Sequence, residues 1–394
     1  MPLGQKLMEF ANAHGISKTT QFFQESLQKG RITMEQVSFR NLAEATMGHN
    51  WPDRLKEARM IPLMESTSPI GPSLFTAISG QLLVDETWKG WGDPAFIGRK
   101  LVRVIPCGPN LGEHTVPGHS QVLDDAGEVQ PGENYPRTKF RGRFKVLPKP
   151  VKKGLICELT FEAIYSDLVG DRAEAARTVG WRVRYEEEED ILSVVMGNVN
   201  NYKEAVGGND TASAKNTYQT SDWTNSQTGK TLNSFRPIQE LRTLMQRITD
   251  PDTGKRIPFV GDYPLLVMPE REWDASIIKT AREVRVTDGD LTNNGEQTLA
   301  GNPLKGVSEI LSSPIAEQLQ IDAGVSTTNL KDYFWHGPFS QSFILREVFA
   351  PEVQQAPPMN PDEYNRDVVL SVKCRRFNKA GVWEPRNVGF SKNA

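Results

Sequence analysis

Apolar and polar positions change their period several times along the chain, and each period predicts a different kind of element. Over the first hundred residues the apolar positions recur at helical spacing, in short pieces that Gly and Pro separate. One helix is predicted from a capping-box pair, Thr33 and Gln36, to Gly48. A second is predicted in GPSLFTAISGQLLVDETW, and the proline-broken segment between the two is predicted to be an extended arm.

Between Arg99 and about Pro150 the chain changes to short apolar runs interrupted by turn residues. This pattern predicts a long β-hairpin or β-loop. It leads into a predicted strand, Leu155 to Leu159, which is followed by a helix near Thr160.

The longest helical period in the chain comes next. Apolar residues fall near one stripe at spacings of three, four and their sums, and they predict a helix from Ser166 to Met196. At 1.5 Å per residue this helix would be roughly 45 Å long, with Gly170 and Gly180 as the positions at which it would kink or shorten. Because this length is well above that of an ordinary globular helix, we expect it to act as a structural spine.

The remaining half of the chain alternates between helical and strand periods. A segment rich in Asn, Thr, Gly and Ser first predicts a long surface loop with some strand. Residues 234–338 then show the patterning of an α/β or α+β domain. Its predicted elements are a helix in FRPIQELRTLMQRITD, a strand in YPLLVMP, a helix in REWDASIIKTARE and a strand in GVSEILSSP. The tail from Asp367 alternates again and predicts strands that return to a sheet.

Composition narrows the possible functions. The 394 residues carry a net charge of −3 at pH 7, which argues against a protein whose whole surface binds nucleic acid. The three cysteines and five histidines are scattered, so they suggest neither a disulfide framework, a zinc site nor a catalytic constellation. No stretch approaches the ~18 to 20 apolar residues that cross a bilayer. We expect an intracellular, soluble protein with no catalytic residues, no cofactor and no metal.

Two charge runs differ from this near-neutral background. In RTKFRGRFK every second residue is basic, and the period of a strand places these side chains on one face. These five residues form the basic ladder: Arg137, Lys139, Arg141, Arg143 and Lys145. The predicted spine helix carries the sequence EEEED, which forms the acidic run: Glu186, Glu187, Glu188, Glu189 and Asp190. The two runs are complementary in sign.

The order of these elements resembles that of the major capsid proteins of tailed bacteriophages. Several stretches also resemble that family in amino-acid sequence. GLICELTFEAIYSD resembles its strand-to-spine junction, MQRITDPDTGKRIPFVGDYPLLVMP its helix, turn and buried strand, and NPLKGVSEILSSP its late strand. DYFWHGP and the stretch from EVFAPEV to WEPRN are similar to its C-terminal portion. Together they cover about two thirds of the chain, from near Arg99 to the end.

This resemblance implies an α+β fold, the tailed-phage major capsid fold. Its parts would be an N-terminal arm with helices (1–98), an extended β-loop or E-loop (99–153), a peripheral domain or P-domain with the spine helix and a polar loop (154–233), an axial domain or A-domain (234–338), and C-terminal strands that return to the peripheral domain (339–394). Copies would assemble through hexamers and pentamers into an icosahedral shell around packaged double-stranded DNA, without sequence-specific binding. Its other implied partners are portal and scaffold proteins, with decoration proteins in some members, and no membrane. The implied place is the virion capsid, after synthesis and assembly in the host cytoplasm.

In that family the extended loop lies over the peripheral domain of a neighbouring subunit. Our hypothesis is therefore that the basic ladder of one subunit faces the acidic run of the next. The alternative explanation is that the basic ladder and the acidic run are both solvent-exposed faces that do not contact each other. Two other functions stay open: an encapsulin-like compartment shell with the same fold, and a nucleic-acid-binding module that uses the basic ribbon 137–153.

Overall fold

The computed structural model describes residues 3–29, 38–60, 70–109, 111–117, 128–135, 143–167, 171–206, 214–251, 253–286, 298–302, 306–356 and 367–393. Its helices are α1 (Leu3–His14), α2 (Ile16–Gln28), α3 (Phe39–Met47), α4 (Trp51–Met60), α5 (Ile70–Trp91), α6 (Gly98–Leu101), α7 (Phe161–Ser166), α8 (Asp171–Val195), α9 (Arg236–Gln246), α10 (Glu272–Thr280), α11 (Pro314–Asp322), α12 (Thr327–Leu330) and α13 (Phe339–Ser342). Its strands are β1 (Arg103–Pro106), β2 (His114–Pro117), β3 (Arg143–Leu147), β4 (Val151–Thr160), β5 (Tyr202–Val206), β6 (Ala214–Lys215), β7 (Ser226–Thr228), β8 (Tyr263–Val267), β9 (Glu283–Val286), β10 (Thr298–Gly301), β11 (Val307–Ser312), β12 (Phe334–His336), β13 (Phe343–Gln355), β14 (Val368–Val382) and β15 (Gly389–Lys392).

The fold is α+β, as predicted, and it divides into two compact units. The first comprises Met1–Pro94, Lys152–Glu186 and Phe349–Phe377, and the second comprises Ala95–Val151, Glu187–Val348 and Asn378–Ala394. Among the described helices, none has the length and apolar character needed to cross a membrane.

Helices α1 to α5 form the N-terminal part of the first unit. Helix α3 begins where the Ser38 hydroxyl accepts a hydrogen bond from the Asn41 amide, and it ends at Gly48, whose φ of 82° favours glycine. The predicted cap at Thr33 lies outside the described residues. The expectation of an extended arm after Gly48 is wrong for its first part, which forms α4. Pro52 is compatible with this helix because it occupies the first turn, where no intrahelical N–H is needed.

Helices α5 and α8 approach closely within the first unit through one glycine from each. A Cβ at Gly180 would lie 1.9 Å from the Thr87 carbonyl oxygen, and a Cβ at Gly90 would lie 1.9 Å from the Arg177 carbonyl oxygen. Helix α8, with 25 residues, confirms the predicted long helix. It runs through Gly180 without interruption, so this glycine serves packing and does not end the helix.

The predicted start of the long helix was too early, because a separate short helix precedes it. The Thr160 hydroxyl caps α7 by accepting a hydrogen bond from the Ala163 amide, and α7 ends before Asp167. This confirms the predicted junction of strand and helix near Thr160. In the first unit, β13, β14 and β4 are hydrogen-bonded neighbours in that order. One apolar cluster joins the helices to this sheet through buried residues such as Phe39, Leu159 and Leu370.

The second unit contains a mixed five-stranded sheet in the order β11-β8-β12-β15-β7. The predicted helix, strand, helix and strand of residues 234–338 are confirmed as α9, β8, α10 and β11. The last strand, β15, lies in this sheet between β12 and β7. The tail therefore has neighbours in both predicted regions: β14 neighbours β4, while β15 neighbours β12 of the predicted axial domain and β7 of the predicted peripheral domain. The predicted domain bounds stay a prediction.

A second sheet of this unit carries the base of the predicted β-loop. Strands β2 and β3 pair antiparallel from His114 opposite Leu147 to Pro117 opposite Phe144, as expected for the two arms of a hairpin. The sheet continues with β5 and β6, which come from the predicted polar loop. Strand β1 pairs elsewhere in the unit, parallel to the first residues of β13.

Candidate functional site

The basic ladder enters the described part of the chain at strand β3. Arg137, Lys139 and Arg141 lie outside the described residues, and for Arg143 the structure gives the backbone. Lys145 is described in full. It lies opposite Val116 of β2 and Glu204 of β5, and therefore in an inner strand of the sheet.

The side chain of Lys145 is buried within its own subunit. It is 2% exposed, and its Nζ lies 2.6 Å from Oε2 of Glu384, which is 1% exposed. The same Nζ lies 5.6 Å from the centre of the Trp383 ring, close enough for a cation–π contact. Both charges are therefore removed from water and compensate each other.

Arg386 extends this pair into a four-member network. Its Nη1 lies 2.9 Å from Oε1 of Glu384, and its Nη2 lies 3.1 Å from Oε2 of Glu204. The guanidinium also lies 4.9 Å from the centre of the Trp223 ring. Two cations and two carboxylates balance, which is the condition under which buried charges are tolerated.

The same surroundings fix the protonation states. Burial alone would lower the pKa of Arg386, but the charges of Glu384 and Glu204, with the hydrogen bond to Glu384, outweigh burial and raise this pKa above its usual value. Burial, reinforced by the charge of Glu384, raises the pKa of Tyr202, whose hydroxyl oxygen accepts a hydrogen bond from Arg386 at 3.4 Å. Arg386 is therefore a cation and Tyr202 a neutral phenol.

The acidic run also points partly into the subunit, beginning with Glu187. Its carboxylate accepts hydrogen bonds from Nε of Arg99 at 2.6 Å and from Nδ2 of Asn378 at 2.8 Å. Arg99 also binds Glu347 at 2.9 Å. Burial works to lower the pKa of Arg99, but the hydrogen bonds and charges of Glu187 and Glu347 raise it overall. The carboxylate of Glu187 thus joins α8 to α6 through an ion pair with Arg99 and to β14 through the neutral amide of Asn378.

Glu188 holds a turn of the backbone. Its Oε1 accepts hydrogen bonds from the backbone amides of Ile97 at 2.9 Å and Gly98 at 2.6 Å. A Cβ at position 98 would lie 2.6 Å from the Glu188 carboxylate, so this approach requires glycine. Like Glu187, Glu188 is fully buried.

The other acidic residues are half-exposed. Glu186 lies 3.8 Å from Nζ of Lys153, and Asp190 lies 3.3 Å from Nζ of Lys379. Glu189 is half-exposed as well. In the residues that the structure describes, no group of three His, Cys, Asp or Glu side chains is arranged to hold a metal ion.

These positions correct the sequence hypothesis for three residues. Lys145, Glu187 and Glu188 have buried partners in their own chain, so they are not available to a neighbouring subunit. The side chains of the ladder were predicted to face a neighbouring subunit, whereas the side chain of Lys145 points into its own subunit. The compensating carboxylate of Glu384 is 239 positions away, which no local pattern reveals.

Comparison with known proteins decides the family. The sequence pattern of a protein family described as phage capsid protein matches residues 144–388, well over half of the chain. The chain belongs to this family. As a phage capsid protein it is a structural component of the virion and not an enzyme, which confirms the family and the structural role predicted from the sequence.

Several solved structures are similar to this phage capsid protein at low sequence identity. The cyanophage P-SCSP1u capsid is 12% identical, with 76% of this chain and 88% of that chain covered and a TM-score of 0.44. The mature capsid of bacteriophage PhiM1 is 9% identical, with 76% and 87% covered and a TM-score of 0.45. The Gordonia phage Cozz structure is 14% identical, with 85% and 98% covered and a TM-score of 0.43. The comparison with curated proteins found no match.

The buried network gives the phage capsid protein a fixed base for its β-loop. Strand β3 is tied through Lys145 to the segment after β14, and Arg386 ties that segment to β5. Sequence reasoning missed Glu204, Glu384 and Arg386, because the partners of each lie far away along the chain. Glu384 and Arg386 had one signal, the Glu–Pro–Arg in the tail, and Glu204 had none.

Proposed function

We propose that this chain is the major capsid protein of a tailed phage, which assembles through hexamers and pentamers into an icosahedral shell around double-stranded DNA. The family match over residues 144–388 carries this proposal, because it spans nearly all of the ladder strand β3, the long helix and four strands of the five-stranded sheet. The DNA would be enclosed without sequence-specific binding, as the near-neutral net charge favours. Portal, scaffold and decoration proteins are the further partners that such a shell would use.

Because Lys145, Glu187 and Glu188 are buried, we restrict the hypothesis of a contact between ladder and acidic run to the remaining residues. We keep Arg137, Lys139, Arg141 and Arg143 as residues that contact a neighbouring subunit. On the acidic side, we keep the half-exposed Glu186, Glu189 and Asp190 as the receiving carboxylates and leave out the buried Glu187 and Glu188. Exposed pairs contribute ~0.2 to 1 kcal/mol each, so their effect would come from repetition over many copies.

The test is to express the chain alone and to follow its size by light scattering and negative-stain electron microscopy. We expect closed shells or hexamer-sized rings. A particle that stays monomeric at every protein and salt concentration contradicts self-assembly by this chain. Strong, salt-dependent binding of the unassembled subunit to short duplex DNA would instead favour the nucleic-acid-binding module.

The same assay tests the narrowed interface. Arg141→Glu should lower the yield of shells, and Glu189→Lys in the same chain should restore part of it. Lys149→Glu is the matched control, because Lys149 is exposed and lies outside the ladder. Equal yields for Arg141→Glu and for this control would exclude a role of the ladder in assembly.

A further inference from the structure

Among the strands that the structure describes, β4 lies at the edge of its sheet, and it carries apolar side chains on both of its faces. In the described sheet order β1-β13-β14-β4, it has a hydrogen-bonded neighbour on one side, β14. Ile156 is 57% exposed and the adjacent Leu155 is 40% exposed. Since consecutive side chains of a strand point to opposite faces, neither face is fully covered at the middle of β4.

Such an edge is normally protected in a protein that remains a monomer. Short strands, bulges, prolines and charged side chains, lysines above all, are the usual means. The lysines of β4 stand near its beginning, and Leu155 and Ile156 at its middle are uncharged. Strand β4 is ten residues long and contains no proline; the nearest one, Pro150, stands just before its first residue. Its backbone from Lys152 onwards can therefore donate and accept hydrogen bonds along the open edge.

The charges along this strand are complementary to a second copy of the same strand. Lys152 stands near its beginning and Glu158 near its end, and both are exposed. In an antiparallel pair of β4 strands, the lysine of each copy lies opposite the glutamate of the other. Such a contact is isologous, which means that one patch meets itself across a twofold axis.

We propose that β4 pairs antiparallel with β4 of a second subunit and so joins the sheets of two copies across a twofold axis. This inference rests on the proposed assembly of the chain into a shell, for which it names one contact. Leu155 of one copy lies opposite Leu155 of the other. Lys152 lies opposite Glu158 twice, and Gly154 lies opposite Ile156 twice.

Side-chain exposure selects this register. Lys152, Gly154, Ile156 and Glu158 share one face, and all four are exposed. A shift by one residue would place Glu158 opposite Lys153, which is half-buried and already lies 3.8 Å from Glu186 of its own chain.

Gly154 packs closely on the neighbouring strand β14 of its own subunit. A Cβ there would lie 2.6 Å from the Cys374 carbonyl oxygen, so the position excludes a side chain.

A symmetric disulfide tests the register directly. Residues opposite each other in antiparallel strands have Cα atoms about 4.5 to 5.5 Å apart, within the range that a disulfide spans. We expect Leu155→Cys, in a Cys157→Ser background, to give a crosslinked dimer on a non-reducing gel after assembled particles are oxidised with diamide. Lys152→Cys in the same background is the control, because its partner position holds Glu158 and not a second cysteine.

Charge exchange tests the same contact without a crosslink. Lys152→Glu and Glu158→Lys should each lower the yield of shells about tenfold, because like charges then face each other twice in every pair. The double variant should return the yield to the original level, since it only swaps the partners. Lys18→Glu, an exposed change of the same sign on α2, should leave the yield unchanged.

The outcomes separate the contact from the function. Shells in which Leu155→Cys remains uncrosslinked, or in which the double variant is no better than the single ones, overturn the β4 contact and leave the proposed function intact. A crosslinked dimer without shells supports the contact and contradicts the shell. Absence of both particles and crosslink contradicts both.

Discussion

At the scale of single residues, His336 is a buried titratable group whose neighbours define its charge. Its Nδ1 lies 3.2 Å from the Pro264 carbonyl oxygen and its Nε2 lies 3.1 Å from Nη1 of Arg242. Arginine can only donate, so Nε2 accepts and the ring proton lies on Nδ1, which donates to the carbonyl. Burial, with the charge of Arg242 as the second cause, lowers the pKa of His336 to about 3.

This pKa predicts acid sensitivity of the subunit. Between the unfolded value of 6.5 and the folded value of about 3, the unfolded chain binds a proton that the folded chain does not bind. The free energy of unfolding therefore falls as the pH falls, by up to about 1.4 kcal/mol per pH unit. His336→Gln keeps one donor and one acceptor but does not titrate. We expect it to remove about 2 kcal/mol of the loss between about pH 7 and about pH 5 in urea unfolding of the unassembled subunit.

The control for this prediction is His14→Gln, since His14 is exposed. It should leave the pH dependence as it is in the unchanged protein. If His336→Gln shows the same pH dependence as the unchanged protein, the His336 ring is not kept neutral by its surroundings.

The ladder shows what a local pattern determines at this scale. The strand period correctly placed Lys145 and Leu147 on one face, since both are buried and Val146 between them is half-exposed. It did not determine which way the face points. The direction depends on Glu204, which lies opposite Lys145 in the paired strand β5, and on Glu384, which the C-terminal part of the chain brings next to Lys145. Charge alternation therefore predicted the strand but not the partner.

At the scale of elements, the contact of α5 with α8 predicts an unusual response to alanine. Alanine in place of a glycine inside a helix normally stabilises by about 0.5 to 1 kcal/mol. At Gly180 the added Cβ would lie 1.9 Å from the Thr87 carbonyl oxygen, which belongs to a helical backbone and cannot rotate away. We expect Gly180→Ala to lower the free energy of unfolding by about 1 to 3 kcal/mol, measured by urea unfolding.

Gly108→Ala provides the matched comparison. A Cβ at Gly108 meets no heavy atom within 4 Å, so this variant should be neutral. Equal stability of the two variants would mean that the helices can separate at Gly180 without loss.

The elements themselves were largely predictable, and the misses have local causes. Helices α9 and α10 and strands β8 and β11 have strong periods and clear turn residues at their ends. The start of α8 was missed because the apolar stripe continues back through α7, so the period alone does not reveal the break after Ser166. Helix α4 was missed because Pro52 was taken as a breaker, although it stands in the first turn.

At the scale of the whole molecule, the N-terminal helices are part of a shared core of the first unit. Phe75 of α5 is fully buried in a cluster that also contains Phe39 of α3 and, from later in the chain, Ile164, Leu370 and Val372. From the sequence, residues 1–98 were expected to form an arm with helices, and no further role was assigned to them. The cluster shows that α3 and α5 contribute apolar surface to the same core as strand β14, so the two parts are expected to lose stability together.

Phe75→Ala tests this coupling. Truncating a buried phenylalanine costs about 3 to 5 kcal/mol, and we expect hydrogen exchange to accelerate both in α3 and at Leu370 to Val372 of β14. Phe22→Ala is the control, because Phe22 is 43% exposed and stacks on Phe10 at the surface of the helices. Faster exchange in α3 with unchanged exchange in β14 would mean that the helices unfold alone. In that case the helices could unfold while the sheet that contains β14 stays folded, and the shared apolar cluster would not couple the stability of the helices to that of the sheet.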